Sequence, residues 1–342
     1  MSSTQSAASR LPGADRGVPL LEVRGLRTSF FTRDGEVKAV DGIDLTLERG
    51  RTLGLVGESG CGKSVTSLSL MRLIRAPGRI VGGEILLDGT DLTKVSESQM
   101  RAVRGARISM IFQEPMTSLN PVVTCGFQIG EVISEHQHLT GDTLKAKVIE
   151  TLRIVGIPLP DRRYDAYPHE LSGGLRQRVV IAMALACDPD VLIADEPTTA
   201  LDVTIQAQIL ALLKEQRERR GMALLLITHD LGVIAEMADD VAVMYAGQIV
   251  EYADVMSLFK SPKHPYTVGL LNSLPTLATN RTQRLHAISG TVPNLLRLPA
   301  GCRFAPRCPR VMEVCRDVPP LLQSLDDDRL VSCHLYRPAE HR

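Results

Sequence analysis

The sequence predicts an α/β fold with a mainly parallel sheet, a helical subdomain inserted at about 115–188, and an irregular C-terminal extension that contains cysteines. Short, entirely apolar segments alternate with stretches of helical spacing, as expected for parallel strands covered on both faces. These candidate strands lie at 52–56, 108–112, 191–194, 223–227 and 241–245. Two alternating segments near the start predict further strands at 21–30 and 39–47.

The domain boundaries follow changes in composition. Residues 1–18 are rich in Ser, Ala and Gly, which predicts a disordered tail. The α/β pattern, with its inserted helical subdomain, occupies 19–260. From about 261 the pattern gives way to Pro, Arg and Cys, so we assign 261–342 to a separate extension.

Composition argues against two kinds of function. Lys plus Arg and Asp plus Glu both number 39, so no overall positive field would attract nucleic acid. The longest apolar run, 179–187, is about half the length that a helix needs to span a bilayer. No charged-then-apolar signal segment opens the chain. We therefore expect a cytosolic protein that reaches the membrane only through a partner.

The strongest motif is Gly57-Glu-Ser-Gly-Cys-Gly-Lys-Ser64, which fits GxxxxGK[ST] between a predicted strand and a predicted helix. Its glycines let backbone N–H groups surround phosphates, and the helix N-terminus adds positive potential. We expect Lys63 to reach the β- and γ-phosphates and Ser64 to bind Mg²⁺. The predicted nucleotide-binding residues of this loop are Gly57, Glu58, Ser59, Gly60, Cys61, Gly62, Lys63 and Ser64.

A second motif, Val191-Leu-Ile-Ala-Asp-Glu196, ends an apolar strand in two carboxylates. Asp195 is the expected Mg²⁺ ligand, and Glu196 is placed to orient or deprotonate the attacking water. An apolar strand that ends in acids is weak evidence by itself, because strands often end in solvated carboxylates. Together with the phosphate loop it predicts a P-loop NTPase.

The segment Leu171-Ser-Gly-Gly-Leu-Arg-Gln-Arg178 resembles the signature sequence of ABC ATPases. It lies at the usual short distance before the second motif, and the resemblance extends over nearly the whole chain. Gln113 matches the Q-loop, Asp202 the D-loop and His229 the switch histidine of that family. Phe30, with Phe31 beside it, matches the aromatic residue that stacks on adenine. Position 175 is Leu where the general signature has Gln, as in many importer ATPases of the peptide type.

The resemblance implies that two ATP molecules are sandwiched between two such subunits, each signature facing the γ-phosphate held by the partner. The implied catalytic residues are Glu196, His229 and Lys63. The implied Mg²⁺ ligands are Ser64, Gln113 and Asp195. The further implied nucleotide contacts are Phe30, Gln113, Ser172, Gly173, Gly174 and Asp202.

The extension narrows the family further. His264-Pro-Tyr-Thr267 and Gly301-Cys-Arg-Phe-Ala-Pro-Arg-Cys-Pro309 resemble the tail of the ATPase subunits of oligopeptide, dipeptide and nickel importers. Residues 113–121 resemble the same subfamily, in which the segment after the glutamine meets the membrane subunit. The resemblance therefore implies an importer at the cytoplasmic face of the inner membrane. Its implied partners are two permeases, a second and different ABC ATPase subunit, and an external substrate-binding protein.

Peptide is the expected cargo of such an importer. Nickel, glutathione or a sugar are alternatives, because ATPase subunits of this family do not touch what is transported. A soluble ABC ATPase acting on nucleic acid is a further alternative. It fits less well, because such proteins carry tandem nucleotide domains or basic arms, whereas this chain has one set of motifs and no net charge.

The cysteines suggest two kinds of chemistry. Cys302, Cys308, Cys315 and Cys333 crowd the extension, where four thiolates suit a [4Fe–4S] cluster. Some members of the resembled family hold such a cluster; structural zinc and free thiols are the alternatives, although no close CxxC pair is present. Cys61 lies near Lys63 and a helix N-terminus, which predicts a lowered pKa and a reactive thiol, and a small side chain that serves only as a spacer is the alternative.

Overall fold

The computed structural model of the chain describes residues 18–113, 118–199, 201–273, 288–326 and 329–336. The predicted disordered tail lies outside these residues except for Val18. The chain divides into two compact units. The first comprises Met1–Thr46, Leu53–Asp88 and His229–Arg342, and the second comprises Leu47–Thr52 and Gly89–Thr228. The extension therefore shares a compact unit with the phosphate loop.

The described strands, in chain order, are β1 (Leu21–Thr32), β2 (Gly35–Leu47), β3 (Thr52–Val56), β4 (Gly78–Leu87), β5 (Thr90–Asp91), β6 (Ile108–Ile111), β7 (Val191–Asp195), β8 (Ala223–Ile227), β9 (Asp240–Tyr245), β10 (Gln248–Asp254), β11 (Gln323–Asp326) and β12 (Arg329–Val331). The described α-helices are α1 (Lys63–Leu70), α2 (Glu97–Val103), α3 (Cys125–Gln137), α4 (Gly141–Ile154), α5 (Pro160–Arg163), α6 (Gly173–Leu185), α7 (Val203–Arg220), α8 (Leu231–Met237), α9 (Val255–Lys260), α10 (Pro265–Asn272) and α11 (Val314–Asp317). Short 3₁₀ turns occupy Pro168–Glu170, Ala305–Arg307 and His334–Tyr336.

The first unit contains strands of both orientations. β1 lies between β2 and β4, and its pairing with β4 is antiparallel. In a second set, ordered β11-β12-β10-β9-β3, the β3–β9 pairing is parallel, whereas β9–β10, β10–β12 and β11–β12 are antiparallel. The two apolar segments of this unit that were predicted as parallel strands, 52–56 and 241–245, do pair in parallel, and the antiparallel strands around them make the unit mixed. Alternating segments such as 21–30 predict half-buried strands, which belong to antiparallel sheets.

The extension is more regular than its composition predicts. β12 pairs with β10, and β11 continues the same sheet. Strands of three or four residues contain too few alternations to be recognised in a sequence. The extension thus adds two strands to the sheet of the first unit.

The second unit matches the sequence prediction closely. β6, β7 and β8 are parallel, in the order β8-β7-β6, and every residue of these strands is buried. The predicted helical stretch contains α3, α4 and α6, whose apolar faces form a core that includes Ile129, Ile133, Val148, Leu152 and Val179. The carboxyl end of β7 delivers Asp195, at the position that the strand pattern predicts.

Candidate functional site

The phosphate loop follows β3 and leads into α1, as the motif predicts. Gly62 caps the N-terminus of α1 with a φ of +113°, and a Cβ built there would overlap the carbonyl oxygen of Ala39. A Cβ on Gly57 would likewise overlap the carbonyl oxygen of Met244. Both positions are therefore restricted to glycine by neighbouring backbone as well as by their own conformation. The loop is held against β2 and β9 at its two tightest points.

Lys63 begins α1 and is 6% exposed. Its Nζ donates to the carbonyl oxygens of Gly57 and Glu58, at 2.8 and 3.1 Å. The ammonium group thus lies over the start of its own loop. When a triphosphate binds, the ammonium group could exchange these carbonyl oxygens for phosphate oxygens, because charged phosphate oxygens are stronger acceptors for a cation than neutral carbonyls.

Cys61 corrects one prediction. Its side chain is buried, and burial raises the pKa of the thiol above its ordinary value despite the nearby charge of Lys63. Desolvation disfavours the thiolate more strongly than the lysine favours it. The expectation of a reactive, low-pKa thiol in the phosphate loop is therefore wrong, and Cys61 fills space behind the loop.

Glu196 follows the end of β7 with a φ of +49°, and its amide donates to the carbonyl oxygen of Ile227 at 2.8 Å. Gln113 Nε2 donates to Glu196 Oε2 at 3.2 Å, and the Thr199 hydroxyl donates to the same oxygen at 2.9 Å. The structure thus brings two predicted residues of the second unit, Gln113 and Glu196, into direct contact. The preceding Asp195 is 2% exposed. The Glu196 carboxylate, held by Gln113 and Thr199, can accept a proton from a water molecule in a defined direction.

The signature segment begins α6. Ser172 is the N-cap residue, and its hydroxyl accepts a weak hydrogen bond from Leu175 N at 3.4 Å. Gly173 and Gly174 are the first helical residues, so their amides lie at the positive end of the helix. Asp202 is likewise an N-cap, and its carboxylate accepts from Ile205 N at 3.0 Å at the start of α7.

Two further predicted residues, Phe30 and His229, lie in the first unit. Phe30 occupies β1 opposite Gly78, where a Cβ on Gly78 would meet the Phe30 ring at 2.5 Å. Phe31 is 40% exposed, and the Arg79 guanidinium lies 4.4 Å from the centre of its ring. His229 is exposed, immediately before the residue that caps α8.

Comparison with known proteins assigns the family. The family profile described as ABC transporter matches residues 40–199, and that described as the C-terminal region of the oligopeptide/dipeptide transporter matches 250–315. Oligopeptide transport ATP-binding protein AppD of Bacillus subtilis is 51% identical over 318 residues, 93% of this chain and 97% of AppD. The chain belongs to the ABC transporter ATP-binding proteins. It binds ATP and hydrolyses it, as the sequence motifs predict.

Further relatives of this ABC ATPase agree. Dipeptide transport ATP-binding protein DppD of Bacillus subtilis is 51% identical over 324 residues, 94% of this chain and 96% of DppD. The solved structure of CbiO1 from Clostridium perfringens, part of the ABC transporter complex CbiONQ, matches with a TM-score of 0.61 and 27% identity. That match covers 72% of this chain and 92% of CbiO1. In the described part of the ABC ATPase, no helix has the length and apolar character needed to cross a membrane.

None of the four cysteines of the extension forms a disulfide, and each is buried or half-buried. Burial, and then the negative charges that Cys302, Cys308 and Cys315 would carry, raise the pKa of Cys333 to about 11. Burial likewise raises the pKa of the Cys302 thiol, although backbone N–H groups of Phe304 and Ala305 act in the opposite direction. Among the described residues of this ABC ATPase, no group of three or more His, Cys, Asp or Glu side chains is placed to hold a metal ion.

Several residues that shape the site escaped sequence analysis. Gln177, which lies on the signature helix, is 1% exposed and donates to the carbonyl oxygen of Pro197 at 2.6 Å. It ties α6 to the residue after Glu196. Tyr266 and Arg307 reach the phosphate loop from the extension. A single Gln, Tyr or Arg carries no sequence signal for such a contact, because the partners are distant in the chain.

Proposed function

We propose that this ABC ATPase is the energy-supplying subunit of a peptide importer. The observation that carries the proposal is its likeness to AppD and DppD over more than nine-tenths of each chain, which are named for oligopeptide and dipeptide transport. The match of 250–315 to the C-terminal region of oligopeptide/dipeptide transporters supports it. Nickel, glutathione or a sugar as cargo has no comparable support.

We propose that Glu196 orients or deprotonates the attacking water, with Gln113 and Thr199 fixing the carboxylate. His229 would donate a hydrogen bond to the γ-phosphate or the water, and Lys63 would neutralise charge on the β- and γ-phosphates. In this scheme Lys63 leaves the carbonyl oxygens of Gly57 and Glu58 when ATP binds. In this scheme hydrolysis requires that Glu196, His229 and Lys63 bind the water or the phosphates rather than other protein groups.

The predicted Mg²⁺ ligands have suitable chemistry, because the Ser64 hydroxyl, Gln113 amide and Asp195 carboxylate all supply the hard oxygen atoms that Mg²⁺ prefers. The bond from Gln113 Nε2 to Glu196 leaves the amide oxygen of Gln113 available as a ligand. When bound, Mg²⁺ would neutralise charge that develops on the β- and γ-phosphate oxygens.

We propose that a second ABC ATPase subunit completes each nucleotide site. Ser172, Gly173 and Gly174 supply an N-terminal helix end suited to a phosphate, and in the proposed complex it would face ATP held by the partner. A different chain is the expected partner, together with two permeases and an external substrate-binding protein. The complex would hold this subunit at the cytoplasmic face of the inner membrane.

A groove on the second unit is the proposed contact with a permease. A cavity of about 430 Å³ is lined by Phe127, Gly130, Glu131, Ser134, Glu135, His138, Leu144 and Tyr164. Phe127 is 60% exposed, although it lies on the same helix as Ile129 and Ile133, which are completely buried. The groove lies on α3, the helix that follows the Gln113 segment. An apolar floor with two carboxylates suits a helix that carries apolar and basic side chains.

The variant Phe127→Glu tests both the proposed contact with the permease and the proposed peptide cargo. We expect it to reduce association with co-expressed permeases and uptake of a labelled tripeptide by roughly tenfold or more, because it places a charge in the apolar contact. ATP binding by the variant should be unchanged. Met256→Glu is the matched control, since Met256 is 57% exposed on α9 of the first unit and should tolerate the charge. Normal peptide uptake by Phe127→Glu would contradict the proposed permease contact at the groove. Uptake of another cargo but no peptide by the wild-type complex would contradict the peptide assignment.

We further propose that the four cysteines of the extension hold a [4Fe–4S] cluster, with zinc as the alternative. The all-sulfur donor set suits either metal centre. Metal binding would draw the four thiolates together. Anaerobically purified protein should contain about four irons and about four sulfides per chain, both lost in Cys308→Ser. Stoichiometric zinc without iron would favour the alternative, and neither metal would mean free thiols.

A further inference from the structure

Glu58, the second residue of the phosphate loop, has each of its polar groups held by a different partner. Its amide donates to the Tyr266 hydroxyl at 2.8 Å. Its carbonyl oxygen accepts from Lys63 Nζ at 3.1 Å. Its carboxylate accepts two hydrogen bonds from Arg307, at 2.7 and 3.0 Å. Two of these partners come from the extension, and the third is the lysine of the motif itself.

Hydrogen bonds to the His264-Pro-Tyr-Thr segment position Tyr266 next to the phosphate loop. The carboxylate of Glu251, which is completely buried on β10, accepts from the amides of Lys263 and His264, each at 2.8 Å. His264 Nδ1 then accepts from Tyr266 N at 3.1 Å and caps α10. A buried carboxylate bonded to backbone amides fixes that backbone strongly. The position of the Tyr266 hydroxyl is therefore set by hydrogen bonds that begin at Glu251 on β10 and continue through His264, the N-cap residue of α10.

Arg307 is fixed just as firmly. Its side chain is 5% exposed, and it also donates to the carbonyl oxygens of Ser289 and Ile288. Nearby, the rings of Tyr245, Tyr266 and Phe304 pack together, with centroids 4.6 to 5.5 Å apart. A two-pronged bond between a guanidinium and a carboxylate sets both position and orientation. The extension thus supplies a rigid cation beside an acid of the phosphate loop.

We propose that Tyr266 and Arg307 are positioning residues for the phosphate loop, through which the C-terminal extension sets the affinity of this ATPase for nucleotide. Tyr266 fixes the amide that follows Gly57. Arg307 neutralises a carboxylate whose charge would otherwise repel the triphosphate. Both residues lie in the region that matches oligopeptide/dipeptide transporters, 250–315, and outside the matched cassette, 40–199. Control of nucleotide affinity is thus a role of the extension.

A double-mutant cycle on the charge pair tests the electrostatic part. The full chain is titrated with a fluorescent ATP analogue in the presence of Mg²⁺. Arg307→Gln should weaken binding about tenfold at low salt, because the Glu58 charge is left unpaired, and the loss should shrink at about 0.5 M salt. Adding Glu58→Gln should restore affinity to within about twofold of Glu58→Gln alone. Should Arg307→Gln not fold, Arg307→Lys keeps the charge, and its affinity should stay within about threefold of wild type.

Tyr266→Phe tests the hydrogen bond. Loss of the acceptor for the half-buried amide of Glu58 should weaken binding of the same analogue roughly fivefold. Tyr252→Phe is the matched control, because Tyr252 is equally buried in the same unit but its hydroxyl donates to the carbonyl oxygen of Thr46. Thermal unfolding is measured for every variant. Equal effects of Tyr252→Phe and Tyr266→Phe on affinity, or no rescue of Arg307→Gln by Glu58→Gln, would show that the extension only stabilises the fold and would overturn the proposal.

Discussion

Replacing Glu196 with Gln should slow ATP hydrolysis by about 10²- to 10⁴-fold while ATP still binds. The amide cannot accept a proton from water, but it keeps the size of the carboxylate and can still accept the bonds from Gln113 and Thr199. Turnover is measured as phosphate release from the subunit assembled with its partners. Binding is measured with a fluorescent ATP analogue, so that loss of catalysis is separated from loss of affinity.

Glu218→Gln is the control for that experiment, because Glu218 is an exposed carboxylate near the end of α7 with 57% of its side chain accessible. It should leave turnover unchanged. Wild-type turnover in Glu196→Gln would remove Glu196 from its proposed role. A matching loss of ATP affinity would instead mean that the carboxylate supports the site rather than the reaction.

Gly62→Ala should weaken ATP binding by at least about 100-fold. The new methyl group would overlap the carbonyl oxygen of Ala39, and the residue would also be strained at a φ of +113°. Because the obstacle is backbone, the phosphate loop itself must move, and displacements of about 1 Å cost roughly that factor in positioned sites. Titration with the fluorescent ATP analogue checks the result.

The matched control is Gly221→Ala, at the C-cap of α7. Gly221 also has a positive φ, +63°, but a Cβ there would meet nothing within 4 Å. It should cost about 1 kcal/mol of stability from backbone strain alone and leave ATP affinity unchanged. If Gly62→Ala binds ATP as well as this control does, contact with β2 does not fix the loop.

Local motifs were predictable because they reflect short-range physics. The spacing from Gly57 to Ser64 encodes a turn followed by a helix, and the apolar run before Asp195 encodes a buried strand. The reactivity of Cys61 was not predictable, because it depends on how deeply the thiol is buried. The pairings of β1 with β4 and of β12 with β10 were also hidden, since strand partners are chosen by contacts between distant segments.

The sequence by itself determined the family, the nucleotide motifs and the order of the strands and helices in the second unit. Only the tertiary structure decided which groups act on the phosphate loop from outside the motif. The Tyr266 hydroxyl reaches Glu58 across 208 positions of chain, and Arg307 reaches it across 249. A hydrogen bond between residues so far apart leaves no periodicity or spacing in the sequence. It exists because β10 and the extension, which includes α10, pack against the phosphate loop. Polar groups that are buried by this packing must then be paired.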